Sequence, residues 1–398
     1  MKSFIALLCL FSLSPSLFAD FAPLAPVPLD QMLKDAEDRR ASDPANPERT
    51  YRLGRVHYLA FDLGVAASPS WNREEPSEGL ASREFTPSRA GAATWDARKL
   101  TEAERIAHAE KAALHLTKAI EMAPDNALYV LTAASFQKTW LESELKAAVK
   151  EGPLSTLNAE GTMALFQKAW ELGRKSDLKL EHLPVTGRQG IVSGEAIRAW
   201  LAMAEATGTG DASVRDRMQA DLKKLDALRM GLITPLVFHP LAGAEDPVPV
   251  DSGAEVAFDL LGDGSGGRWN WPEPCAAFLV WDPAAVGDVV SGARMFGGYT
   301  WQMFWDDGFQ PLRVLDANRD GRLTGAELNG LAAWFDDEQP GQCGDDEVFA
   351  LSRLGVVEIR LDARAFSGPD ALVWHPEGIV FADGRTVPLW DWLARPAP

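Results

Sequence analysis

The sequence predicts an α+β multidomain chain: an all-α region of helical hairpins, then a mixed, tryptophan-rich region that closes on a C-terminal β-hairpin. Three observations carry this. From about 30 to 235 the residues are rich in Ala, Leu, Glu, Lys and Arg, with few β-branched runs and with Pro and Gly between segments. After "ITPLVFHPLAGAEDPVPVDSGAEVAFDL" the helix formers thin out and short apolar runs alternate with Gly and Asp, which places a boundary near 235–250. Fourteen tryptophans stand against four tyrosines, and most of them lie beyond residue 260.

The first stretch, "MKSFIALLCLFSLSPSLFAD", has Lys2, an apolar run, then small residues ending at Ala19. That is the layout of a secretory signal peptide over 1–19, with an uncleaved N-terminal anchor as the other reading; the run is too short and too broken by Ser and Pro to make a good membrane span. No later segment reaches the ~18 consecutive apolar residues of a spanning helix, so the mature chain is expected to carry no integral membrane segment. Residues 20–29, "DFAPLAPVPL", read as a proline-rich, extended lead-in. The helical region, 30–235, is interrupted at 64–98 by a long surface insertion containing "SPSWNREEPSEG" and "TPSRAGA".

In "AALHLTKAIEMAPDNALYV", Ala112, Leu116, Ala119 and Pro124 stand at relative places 0, 4, 7 and 12. The small alanines let a neighbouring helix approach, Leu116 fills the gap between them, and the proline cannot continue the helix. This spacing resembles the second helix of a tetratricopeptide repeat, and "RLGRVHYLAF", with Leu53, Gly54 and His57, is similar to the first. A second unit would run from Asn126 to about Ser176, where Phe166 and Ala169 match, and helices near 192–207 and 212–230 would cap the stack. The resemblance implies a scaffold that presents a groove to a protein or peptide partner. An unrelated helical bundle is the other reading of these segments.

The C-terminal region, 250–395, holds the most specific motif, "DANRDGRLTGAE" at 316–327. A Ca²⁺ ion takes six to eight oxygens at ~2.4 Å, and a twelve-residue loop supplies them from places 1, 3, 5, 7, 9 and 12. Those places hold Asp316, Asn318, Asp320, the Arg322 main-chain carbonyl, Thr324 and the two-oxygen carboxylate of Glu327. Gly321 permits the sharp turn at place 6, and Leu323 at place 8 points away from the ion into a core or a small β-bridge. "ELNGLAAWF" is expected to follow as a short amphipathic helix that starts at Glu327. Mg²⁺ is a poor rival, because it demands tighter octahedral geometry and keeps its waters.

Three neighbouring segments read as worn copies. "DLLGDGSGGRWN", 259–270, keeps Asp259, Asp263 and Gly264, with Leu261 at place 3 and Asn270 at place 12, which leaves weak binding open. "DPAAVGDVVSGARMFG" keeps Asp282, Gly287 and Val289 and is not expected to bind. "DDEQPGQCGDDE" keeps Asp336, Glu338, Gly341 and Glu347, but Pro340 spoils place 5, which leaves its binding open. The order "DLLGDG", "ARMFG", "DANRDGRLTGAE", "LSRLGV" resembles the EF-hand-like calcium-loop region of exported bacterial proteins of the RTX type, over roughly 255–360. That resemblance implies an exported, secreted or periplasmic protein with structural Ca²⁺. The glycine-rich nonapeptide repeats of RTX toxins are absent from the sequence, so toxin activity does not follow.

A formal charge of -18 repels nucleic acid and anionic headgroups, which excludes a nucleic-acid partner. No His-Glu-x-x-His pair, Gly-x-Ser-x-Gly elbow or phosphate-binding glycine loop is present, so no catalytic centre is expected. His108 and His115 fall on one helical face; they suit packing, with a transition-metal pair as the other reading. The tryptophans suit a core better than sugar stacking. Export would permit one disulfide, Cys275–Cys343, or leave two separate thiols. A secreted enzyme acting on polysaccharide, with Ca²⁺ structural, is the alternative function.

Overall fold

The computed structural model describes residues 27–64, 99–182, 184, 191–228, 231–262, 266–283, 285–298, 300–344 and 346–396. The signal-peptide reading, the lead-in up to residue 26 and the insertion from 65 onward lie outside them. What remains is an N-terminal helical region followed by a tryptophan-rich antiparallel β half-barrel.

The helices are α1 (Leu29–Ser42), α2 (Pro47–Leu63), α3 (Glu102–Met122), α4 (Ala127–Glu142), α5 (Ala159–Asp177), α6 (Val192–Thr207) and α7 (Ala212–Asp226). The last residue of the expected extended lead-in, Leu29, is therefore already helical. Local chemistry fixes most starts. Asn46 accepts from Glu48 N and Arg49 N ahead of Pro47, Thr101 and Glu104 form a reciprocal capping box, and Asn126, Asn158 and Asp211 cap α4, α5 and α7. α2 ends on Gly64 at φ 66, where a left-handed residue closes the last turn. Leu100 N donates to Gly64 O, and Arg105 Nε to Phe61 O, which ties the start of α3 to the end of α2. Gly54 lets the two helices meet: a Cβ there would stand 3.0 Å from both the side chain and the backbone N of Leu116. Ala112, Leu116 and Ala119 are buried against α2 in a cluster with Tyr51, Tyr58 and Phe61. Phe166 and Ala169 belong to a separate cluster formed by α4 to α7.

The half-barrel runs β5 (Arg322–Thr324), β8 (Val356–Arg360), β10 (Ala371–Phe381), β11 (Thr386–Trp392), β1 (Leu236–Phe238), β4 (Ala277–Trp281), β6 (Leu331–Trp334) and β7 (Val348–Ala350), with β9 (Arg364–Ala365) on β10. A separate hairpin pairs β2 (Val250–Ala257) with β3 (Arg268–Pro272). β10 and β11 form a hairpin turned at Asp383-Gly384, where Gly384 takes φ 87. The central strands are apolar on both faces. Leu236, Phe238, Leu279, Ala333 and Leu389 face one core; Val237, Phe278, Val280, Trp334 and Trp390 face the other. The second core takes in Trp269, Trp271 and Trp392, so these rings fill the protein's interior. The first core continues into Leu29 and Met32 of α1 and into Leu53, Val56 and Leu59 of α2. Helices and half-barrel thus share one apolar layer.

A larger departure from the sequence reading follows the loop at 316–327. The expected helix over "ELNGLAAWF" is a 3₁₀ turn, Gly325–Leu328, then Gly330 at φ 85 and strand β6. Leu331 and Ala333 fill one face of the half-barrel while Ala332 and Trp334 fill the other. Burial on both faces erases the alternation that marks a strand.

Candidate metal loop and its neighbours

The stretch 316–327 is a preformed oxygen-lined turn. α8 (Phe309–Leu315) delivers the chain, and Asp316 caps its end. Asp316 is 8% exposed; its Oδ2 accepts from Gly321 N at 3.0 Å, and its Oδ1 is buried with no hydrogen-bond partner. Asn318 Oδ1 accepts from Asp320 N, and Asp320 Oδ1 from Arg322 N, each at 2.9 Å. These two Asx turns coil the backbone around its own side chains. Arg319 at φ 60 and Gly321 at φ 81 supply the left-handed residues such a coil needs. Glu327 Oε1 accepts from Ala317 N at 2.9 Å and Oε2 from Thr324 N at 3.0 Å, so the twelfth place is clasped to the second and the ninth. Leu323 is fully buried and pairs with Ile359 of β8.

The backbone therefore brings Asp316, Asn318, Asp320, Arg322, Thr324 and Glu327 into one turn. Asp320 Oδ2 also accepts from Asn318 Nδ2 at 3.1 Å, and each carboxylate oxygen that takes one such bond keeps a further lone pair. Among the described residues no three His, Cys, Asp or Glu side chains are gathered as they would be around an ion. Asp316, Asp320 and Glu327 are held by amides rather than drawn to a common centre. The donor set still fits a hard cation, because every contributor is oxygen and the buried Asp316 Oδ1 has no hydrogen-bond partner.

The other loops differ in instructive ways. In 336–347, Asp336 Oδ2 accepts from Gly341 N at 2.6 Å and from Trp271 Nε1 at 2.5 Å, while its Oδ1 is buried without a partner. Glu347 accepts from Asp337 N, Glu338 N and Gly344 N, which repeats the clasp seen at Glu327. Burial pushes the Asp336 carboxyl up to about 6, with Glu347 and Asp337 adding to the rise against the Gly341 and Trp271 hydrogen bonds. In the loop from Asp282 the frame is kept, since Gly287 N donates to Asp282 Oδ2 at 2.9 Å. There the counter-charge comes from the chain itself: Arg294 Nη1 donates to Asp282 Oδ1 at 3.0 Å, and both side chains are buried. Sequence reasoning missed Arg294, although a basic residue just past the twelfth place was visible. In the first loop, places 5 and 6 lie outside the described residues; Asp259 O accepts from Gly292 N.

Arg319 was also missed. Its guanidinium pairs with Asp38 of α1 at 2.8 Å and links the loop to the helical region. The fourth place of such a loop carries no sequence signal for this. His57, His108 and His115 come together, with Nδ1 of His57 and His108 2.9 Å apart and His57 stacked on His115. Burial first, then the neighbouring His108, Lys111 and His115, lowers His57 to about 3, and burial, then Arg40 and Lys111, lowers His115 to about 4, which suits neutral packing imidazoles. Cys275 and Cys343 are free thiols: Cys275 lies 2.9 Å from His239 Nε2, and Cys343 Sγ faces Gly287 O. No helix among the described residues is long and apolar enough to cross a membrane.

Residues 246–391 match the SPM domain family, a span that begins just before β2, takes in all four loops and ends within β11. No curated protein matches the chain.

Proposed function

We propose that this is an exported calcium-binding protein in which Ca²⁺ is structural and the helical region is a tetratricopeptide-like scaffold for a protein or peptide. The observation that carries the calcium reading is the buried, unpartnered Oδ1 of Asp316, in a turn whose second carboxylate oxygen is already fixed by Gly321. A buried anionic oxygen without a partner is costly, and a hard cation is the partner its neighbours suit. Asp316, Asn318, Asp320 and Glu327 would hold the ion through side-chain oxygens, Arg322 through its carbonyl, and Thr324 through water. The ion would supply counter-charge and cross-link α8 to β5. The close packing of α2 on α3 at Gly54 and Leu116 supports the helical-hairpin part of the reading. The alternative, a polysaccharide-acting enzyme, draws no support from Trp269, Trp271, Trp334, Trp390 and Trp392, which are buried and cannot stack on a sugar.

Calorimetric titration of the full chain with Ca²⁺ tests the proposal. Glu327→Gln is expected to weaken binding by at least about tenfold. At a hundredfold excess over Kd, Ca²⁺ is expected to stabilise the wild type by about 2.7 kcal/mol in a melt. Equal affinity in the variant, or a melt indifferent to both Ca²⁺ and chelator, sinks the reading.

A further inference from the structure

We infer that the cleft between α1, α2 and α8 binds a small organic monoanion, a carboxylate on an apolar body. The cavity holds about 300 Å³, at the low end for small-molecule sites. It shares α8 with the calcium turn but uses none of that turn's proposed ligands, so it does not rest on that reading.

Charge sets the ligand class. In a chain of formal charge -18, this cleft is lined by four arginines, Arg39, Arg49, Arg52 and Arg313, against three carboxylates, Asp35, Glu48 and Asp306. Two arginines are already matched: Arg39 Nε bonds Asp35 at 2.7 Å, and Arg52 Nη2 lies 2.6 Å from Glu48. Arg49 Nη1 donates to Arg39 O and to Ser42 Oγ, with Asp43 no closer than 3.9 Å. Arg313 donates Nη2 to Leu361 O and makes no ion pair among the described residues. With Arg49 also within ion-pair reach of Asp43, Arg313 is the lining arginine that makes no ion pair among the described residues, which suits a single carboxylate; a dianion would meet Asp35 and Asp306. Guanidinium forks match carboxylate geometry in two parallel bonds.

Shape sets the rest. The Arg52 guanidinium lies 4.6 Å from the centroid of the Trp305 ring and also donates to Gln310 at 3.1 Å, so this stacked pair is held in place. Met32, Val56 and Met303 line the same cleft and offer an apolar wall. A carboxylate at the arginines with its hydrocarbon on that wall leaves no part of the ligand mismatched.

The test is calorimetry on the full chain with 4-phenylbutyrate, its neutral amide and phenyl phosphate. Saturable binding of the acid is expected, with the amide at least about tenfold weaker and phenyl phosphate weaker than the acid. Arg313→Gln is expected to weaken the acid about fivefold or more while leaving the amide unchanged, a split that a purely structural loss would not give. Should that variant fail to fold by its melt, Arg49→Gln is read in its place with the same expectation. No saturation by the acid, equal affinities for acid and amide, tighter binding of the phosphate, or an unaffected variant overturns the inference.

Discussion

Asp336 shows how a single buried carboxyl makes stability depend on pH. Its ordinary value is 3.8, and burial lifts it to about 6 in the folded chain. Between these values the folded state binds the proton more tightly, so stability falls as pH rises from about 4 to 6 and stays lower above. Asp336→Asn is expected to remove that slope and to raise stability at pH 8 by up to about 3 kcal/mol in the absence of divalent ions. Its oxygen can still accept from Gly341 N and Trp271 Nε1. Urea denaturation at pH 5 and pH 8 measures this; an unchanged pH slope would show that burial does not govern the group. At this scale the coiled turn of 316–327 was legible, because the bonds that shape it join residues close in sequence. Arg294 and Arg319 were not. Their partners, Asp282 and Asp38, are chosen by folding rather than by spacing.

Among elements, the α2–α3 contact offers the sharpest test. Gly54→Ala adds helix propensity of about 1 kcal/mol, but its Cβ meets the backbone of Leu116 as well as its side chain. Backbone cannot rotate away, so the overpacking cost of about 1–3 kcal/mol should prevail and lower the melting temperature. A variant at least as stable as the wild type would mean that the helices separate freely. The helices could be read from the sequence because caps such as Asn46 and Thr101 lie beside the residues they serve. The hairpin at Asp383-Gly384 could be read because its turn chemistry is local. β6 was misread for the opposite reason. Its residues face apolar neighbours on both sides, and "LAAW" alone does not distinguish a helix from a central strand.

For the whole molecule, composition announced two regions but not their common layer. Leu53, Val56 and Leu59 of α2 sit in one core with Leu236, Leu279 and Leu389 of the half-barrel, and Arg55, fully buried, donates to Gln302 O. A fragment ending at residue 235 is therefore expected to expose that face and to bind a hydrophobic dye that the full chain does not. A fragment that melts with full-chain cooperativity and ignores the dye would show that the helices need no partner layer. The shared layer also orders events in time. β1 pairs with β11 across most of the half-barrel's sequence, from Leu236 to Asp391, and α1 and α2 precede both. Contacts so distant along the chain form late and slowly. Until residues from beyond 235 pack on them, the first two helices carry an uncovered apolar face, and in that interval they are what a chaperone would hold.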